Sequence, residues 1–484
     1  LVADLKSGRL TDEEAYRYIH SLWTMIENRR TTVNGRIIVG GKGRKHPKEA
    51  DVFLHIAMKV AKNCRYVEPQ FTLRFDKDTS EEIWDEALDA LGAGATYPTL
   101  YNDDVNVPAV MYGMRVDEKT AEQYVPFGCT EFVIQGQSTG TPNICINLLK
   151  LLTIYMNDGI DPIDGKRKSG PVSLKKLEEY QTFEEFYDGY KALLDYYLDL
   201  SVKAQYHSYE VMNQHVSFLF TSLLTDDCIA RGKALLDGGV RYLGGTNETY
   251  GNINTSDSLW VIRDLVFNQK KYTLRQLNDA MLANFNGYEA LRKDCLNCDK
   301  YGNDLETADT MANDLYEFVA KGVRDRGIAI GMQYFLIVIS NNQLNTEWGN
   351  RTAASPDGRL SCMYMNPANN PQGGANKSGP TAMLNSLAKF DAKYHGGSVQ
   401  NIKFSPSMFN ENRAVIKSLF KTYFAKGGCH LMVTVVDKGV LEDAVEHPEN
   451  YPDLIVRVSG FSAVFVDLSP NIQQELLSRV LYDE

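Results

Sequence analysis

Ile455-Val456-Arg457-Val458-Ser459-Gly460-Phe461-Ser462-Ala463 is the stretch on which the reading of this chain turns. A β-branched run enters Gly460, and the apolar run Val464-Phe465-Val466 leaves it. Taken alone, the string is a buried strand interrupted at a bulge or tight loop by a glycine. Its counterpart lies far upstream, at Phe127-Gly128-Cys129-Thr130-Glu131-Phe132, followed by Gly136 and Gly140: a cysteine loop bracketed by glycines. Read by itself, Cys129 is a buried structural cysteine, because free cysteine is among the most buried residue types. A thiolate nucleophile would need a partner such as histidine. No histidine lies near Cys129 in sequence, and the 8 histidines form no pattern.

Bulk properties bound the alternatives. The chain has 484 residues, 43% hydrophobic and 23% charged, the balance of a globular protein with a large core. A formal net charge of -11 argues against nucleic acid as a partner. Hydrophobic runs such as Val433-Thr434-Val435-Val436 are strand-sized, so no membrane span is expected. The polar start, Leu1-Val2-Ala3-Asp4, has no signal-peptide pattern, and the missing initiator Met is expected of a truncated or processed start. The 8 cysteines are scattered without a secreted framework, which points to a reducing, cytoplasmic setting. Cys295-Leu296-Asn297-Cys298 is a lone CxxC with no second pair to complete a metal site.

In chain order, Thr11-Asp12-Glu13-Glu14 is a capping box that opens a helix within residues 1–30. Asn34-Gly35 is a turn, and Arg36–Val39 a short strand running into Gly40-Gly41-Lys42-Gly43. That loop lacks the P-loop spacing and reads as a glycine-lined turn. Helices are expected at 48–63, 80–91, 117–124 and from near Pro142, with an alternating strand at Gln70–Phe75 and an extended line at Tyr97–Asp104. Residues 170–235 read as helical, with the aromatics Tyr180, Phe183, Phe186, Tyr187 and Tyr190 as packing core. Gly238–Gly245 and Tyr250-Gly251 read as a loop-rich segment. Helix continues to about 320, followed by the apolar stretch Ile328–Ile339 and a polar loop to Arg359. Beyond come helices at 381–390 and up to 425, the strand His430–Val436, a helix at 439–446 and the glycine-loop strand. Alternating strands and helices make the class α/β with parallel pairing, in one large body.

The string Arg457–Phe461, with its tail Leu468-Ser469-Pro470, resembles the glycine loop of the glycyl radical enzymes, the superfamily of pyruvate formate-lyase and the radical diol dehydratases. Gly128-Cys129-Thr130-Glu131 resembles the Gly-Cys-x-Glu loop of its eliminase-type members. Tyr97-Pro98, Asn102-Asp103, Lys300–Asp304, Ser355–Arg359, Asn376–Thr381 and His447–Asp453 are similar too, so the resemblance covers nearly the whole chain. It implies a ten-stranded β/α barrel of glycyl radical enzyme type, surrounded by helices and incomplete at its N-terminus. Residues 1–360 would form the barrel portion with the cysteine loop, and 361–484 the C-terminal glycine radical domain. It implies catalytic roles for Gly460 as radical carrier, Cys129 as thiyl and Glu131 as acid/base. No bound cofactor or metal is implied. The radical would be installed by a partner, a radical S-adenosylmethionine activase with an iron–sulfur cluster. A homodimer acting on a small molecule in anaerobic metabolism completes the expectation.

The residue types suit that chemistry. Glycine has no Cβ, so a radical at its Cα can flatten and share its electron with the flanking amides. A thiol can pass a hydrogen atom to and from such a carbon, and the barrel would hold thiyl and substrate in near-attack geometry. Burial beside the loop would tune Glu131 for proton transfer. Pyruvate formate-lyase uses two adjacent cysteines, whereas Cys129 stands between Gly128 and Thr130. The expected reaction is therefore C–X bond cleavage by a lyase of dehydratase or decarboxylase type. Formate C-acetyltransferase activity is the alternative enzyme, and a non-catalytic radical-loop fragment the alternative from another class. Diol dehydratases commonly carry proline where Phe132 follows the glutamate, and a carboxylate where this chain has Asn143, so a vicinal diol is not singled out.

Overall fold

The computed structural model describes residues 1–29, 35–140, 143–340 and 343–483, apart from the Asn143 side chain. The expected turn at Asn34-Gly35 and the side chain of Asn143 therefore fall outside the described residues. Among the described residues, thirteen strands are interleaved with helices. Five form one sheet in the order β1 (Ile37–Gly40), β2 (Phe71–Phe75), β3 (Thr99–Asn102), β11 (His430–Val435) and β10 (Asn401–Phe404). Four form a second, parallel sheet in the order β6 (Asn143–Asn147), β7 (Gly244–Tyr250), β8 (Tyr334–Ile339) and β9 (His395–Ser398). All pairs in the five-stranded sheet are parallel except β3 with β11. The described residues thus give nine strands in two sheets; the expected ten are not reached among them. Two antiparallel hairpins complete the set: β4 (Tyr124–Phe127) with β5 (Glu131–Ile134), and β12 (Ile455–Arg457) with β13 (Ser462–Val464).

The sheets are covered on both faces, as parallel strands require. All five residues of β2 and all seven of β7 are buried, so the alternation expected at Gln70–Phe75 does not translate into one wet face. Against the four-stranded sheet packs the helix Phe183–His215, started by Thr182, whose side chain accepts from the Glu185 amide. The aromatics Tyr180, Phe183, Phe186 and Tyr190 are in that core, with Tyr187 packed on it. Helices Asp12–Glu27, Pro47–Asn63, Glu81–Gly92 and Arg413–Ala425 cover the five-stranded sheet. The Thr11 capping box is present with both of its hydrogen bonds. No helix among the described residues is long and apolar enough to cross a membrane.

Several local expectations are corrected. Residues 143–147 are a strand and the helix begins at Leu148, not near Pro142. The 117–124 helix shrinks to Glu118–Ala121, because Tyr124 already pairs with Ile134. A helix at Asp103–Met114 escaped notice: it is apolar on nearly every side and carries Pro108. Gly244–Tyr250, read as part of a loop-rich segment, is the inner strand β7; its polar residues hid a strand buried on both faces. The strands β9 and β10 were likewise missed, being short and rich in polar residues and glycine.

The strands of residues 395–435 join both sheets, β9 to β8 and β11 to β3. A hairpin with three residue pairs, such as β12–β13, is not stable by itself. Val456, Val458 and Phe465 pack with Val436, Leu441, Ala444, Ile472 and Leu476 in a small separate core that anchors it.

Candidate active site

The cysteine loop is the three-residue connection of the β4–β5 hairpin, closed where the Thr130 amide donates to the Phe127 carbonyl (2.9 Å). Gly128 (φ 51°) and Thr130 (φ 100°) both lie at positive φ, so the loop is a tight and partly strained turn around Cys129. Its base is tied down by a buried ion pair. Arg74 on β2 donates to both oxygens of Asp103 (2.9 and 2.8 Å), and Tyr124 adds its hydroxyl to the same carboxylate (2.9 Å). Arg74 also donates to the Tyr124 carbonyl (2.8 Å). Its tip is held by Arg36, which donates to the Gly128 carbonyl at 2.6 Å. On the other side Gly397 of β9 backs the loop; a Cβ there would stand 2.6 Å from the Thr130 carbonyl carbon.

The glycine loop meets the cysteine loop from the opposite hairpin. A Cβ built on Gly460 would lie 2.5 Å from Cys129 Cβ and 2.6 Å from Cys129 Cα, a distance side chains never reach. Gly460 is buried and its φ is outside the left-handed region. Contact with Cys129, not backbone conformation, is what demands glycine there. The Val458 amide donates to the Phe461 carbonyl (3.1 Å), closing the turn. The Thr96 and Ser462 hydroxyls are paired at 2.8 Å, joining the hairpin to the chain just before β3.

Cys129 is 4% exposed, and burial, with the charges of Glu131 and then Glu248, pushes its thiol well above the ordinary cysteine range. It therefore keeps its S–H at neutral pH. That suits hydrogen-atom transfer and disfavours a thiolate nucleophile. Glu131 is also 4% exposed, and its carboxylate stands over bare Gly128, where a Cβ would come within 2.8 Å of Oε2. Phe132 packs edge-on against Tyr124 and His395. Around the loops lie Tyr101, pushed up to about 12 by burial, and His430, held well below the usual histidine value by burial and by the charge of Arg457. His430 accepts the Gln400 amide at Nδ1 (3.2 Å), which leaves its hydrogen on Nε2.

The structure brings Cys129, Glu131 and Gly460 into one buried cluster. Sequence reasoning missed Arg36, Gly397, His430 and Glu248. Arg36 and Gly397 act through backbone contacts that no motif spells out. Glu248 lay in the segment taken for loop; its neighbours Thr246, Thr249 and Tyr250 were the available strand signal. Cys295 is buried and Cys298 half-buried at the end of the helix Glu289–Asn297, where the Cys298 thiol faces the Asp294 carbonyl at 3.4 Å, apart from this cluster.

The pyruvate formate lyase-like family profile matches residues 1–344, and the glycine radical profile matches residues 365–466. This chain belongs to the pyruvate formate lyase-like family. Within that family it is 28% identical over 493 residues to trans-4-hydroxy-L-proline dehydratase of Clostridioides difficile, covering 98% of this chain and 62% of the relative. It is 27% identical over 503 residues to (2S)-3-sulfopropanediol dehydratase of Klebsiella oxytoca, covering 99% of this chain and 60% of that protein. Among solved structures, the glycerol-bound B12-independent glycerol dehydratase of Clostridium butyricum superposes with a TM-score of 0.88 at 28% identity, over 98% of this chain and 62% of that one. Hydroxyproline dehydratase of C. difficile with its substrate bound superposes with a TM-score of 0.89 at 26% identity, over 100% of this chain and 63% of that one. The chain thus spans about three fifths of the length of these relatives.

Proposed function

We propose that this chain carries the radical centre of a glycyl radical lyase. Gly460 stores the radical, Cys129 relays it to a small substrate as a thiyl, and Glu131 moves a proton as a C–X bond breaks. The observation that carries the reading is the contact between Gly460 and a buried Cys129 that keeps its S–H. Direct contact makes hydrogen-atom transfer between the two residues a short step, and exclusion of solvent protects both radicals. Relatives named as dehydratases, an isethionate sulfite-lyase and a 4-hydroxyphenylacetate decarboxylase support C–X cleavage over acyl transfer. Formate acetyltransferase chemistry on the two-cysteine pattern has no second thiol beside Cys129, where Gly128 and Thr130 stand. A fragment serving only as a radical loop would have no need of the cysteine loop that this chain packs against it.

The same proposal includes a division near residue 360 between a barrel portion and a glycine radical domain. It includes activation by a radical S-adenosylmethionine enzyme with an iron–sulfur cluster, and a cytoplasmic homodimer as the working form. The test is anaerobic co-expression of the full-length protein with its activase. Consumption is then screened over glycerol, propane-1,2-diol, 3-sulfopropane-1,2-diol, isethionate, trans-4-hydroxy-L-proline and 4-hydroxyphenylacetate. Turnover of one of them with release of water, sulfite or carbon dioxide supports the reading. A radical-bearing protein inert to all of them, but forming acetyl-coenzyme A from pyruvate, overturns it.

A further inference from the structure

Elimination of HX from a hydroxylated substrate moves two protons, and Glu131 accounts for one. A second buried carboxylate stands on the barrel wall. Glu248 is 4% exposed on β7, in register with Cys145 of β6 and Val338 of β8. Its neighbour Asn247 faces the other way, donating to Ser201 of the helix Phe183–His215 at 2.7 Å. Residues adjacent on a strand face opposite sides, so Glu248 and Tyr250 face the interior that holds the cysteine loop. The loop's return strand leads directly onto β7: Thr139 donates to the Gly244 carbonyl (2.9 Å), and the Tyr242 amide donates to the Gln137 carbonyl (2.9 Å). Two hydroxyls fix one carboxylate oxygen. Tyr250 donates to Glu248 Oε2 at 2.5 Å and Ser340 donates to it at 3.0 Å. Burial first, and Glu248 among the charges after it, push up both the Cys129 and the Cys145 thiols.

We propose that Glu248 is the second proton-handling carboxylate of this site, the general acid that protonates the leaving group while Glu131 takes the hydroxyl proton. This rests on the lyase reading above. The Cys129 thiyl removes a hydrogen atom from the carbinol carbon and becomes a thiol. The hydroxyl proton passes to the Glu131 carboxylate as the C–O bond becomes a carbonyl. The C–X electron pair departs with X, which takes the proton of Glu248 and leaves as HX. The remaining carbon radical recovers a hydrogen atom from Cys129, and one proton returning from Glu131 to Glu248 restores the start. In this scheme the two carboxylates take complementary roles, one accepting a proton and the other giving one.

The experiment compares wild type, Glu248→Gln and Tyr250→Phe in the activated full-length protein. Two substrates are used, glycerol and its 2-chloropropane-1,3-diol counterpart, in which chloride replaces the C2 hydroxyl and departs without a proton. The glycyl radical signal is expected to be equal in all three proteins. Glu248→Gln should lower kcat on glycerol by about 100-fold or more, within the range general acids supply, and lose the high-pH limb of its pH profile. Its loss on the chloro compound should be under about tenfold, a difference general acid catalysis predicts and a merely structural role does not. Tyr250→Phe, a positioning change, should shift that limb with a smaller loss. Equal losses on both substrates, or a Glu248→Gln variant within threefold of wild type on glycerol, overturn the role of Glu248 alone. Wild type inert to both compounds and to the wider panel overturns the lyase reading, and the role of Glu248 with it.

Discussion

Replacing Gly460 with alanine tests the contact on which everything else rests. The new methyl would stand 2.5 Å from Cys129 Cβ and 2.6 Å from its Cα. Ordinary carbon–carbon contact is about 3.5–4.0 Å, so one side must retreat by about 1 Å. The cysteine loop is poorly able to do so. Arg36 grips the Gly128 carbonyl, and the Thr130 carbonyl abuts Gly397. The β12–β13 hairpin has only three residue pairs and its own small core, so it should be the part that shifts. Overpacking of this kind costs about 1–3 kcal/mol, readable as a lower urea midpoint. Anaerobic activation should then give no doublet paramagnetic signal, because the methyl opposes the flattened radical and blocks Cα. In wild type, admitting air should cut the activated chain at Gly460, since oxygen adds to the carbon radical and the peroxyl product breaks the backbone. Mass spectrometry should find a fragment beginning at or next to Phe461 and ending at Glu484. Gly397→Ala is the control: it presses on the same loop from the other side and should leave the radical and the cut intact while lowering turnover at least tenfold, because a displacement near 1 Å can cost about 100-fold. An alanine variant at 460 that still forms the signal, or a wild-type chain cut elsewhere, would refute the reasoning.

Three further outcomes are expected. Cys129→Ser should abolish turnover and keep the Gly460 signal, since an O–H bond is too strong for the relay; residual turnover measured anaerobically would remove Cys129 from the mechanism. Glu131→Gln should lower kcat by about two to four orders of magnitude, and a loss under threefold would make it a structural residue. His395 is held down to about 4 by burial, against about 6.5 when unfolded. The unfolded chain therefore binds the extra proton between those values, so stability is complete above pH 6.5 and falls as pH drops toward 4. The loss is on the order of 3 kcal/mol, with His430 adding in the same direction. Urea midpoints taken from pH 7 to pH 4 should show that slope, and His395→Gln should flatten part of it; an unchanged slope would assign the acid sensitivity elsewhere.

The chain's own residues were enough to read the α/β class, several helix starts and the pairing of Arg457–Phe461 with Gly128–Glu131. Those features are local: the Thr11 capping box and the alternation of apolar runs need no distant partner. The strands on which the site is mounted were less legible. β9 and β10 have four residues each, and all three of β7, β9 and β10 are polar or glycine-rich yet buried throughout. A strand buried on both sides loses the period-two alternation that marks one from sequence. Only the tertiary structure decided that Gly460 must lack a Cβ because Cys129 occupies that space. It alone decided that the thiol stays protonated, a consequence of burial and of two carboxylates drawn from separate strands. Glu131 could be picked out because it sits two residues from Cys129. Glu248 could not, since its charge bears on that thiol only once β7 is packed into its sheet.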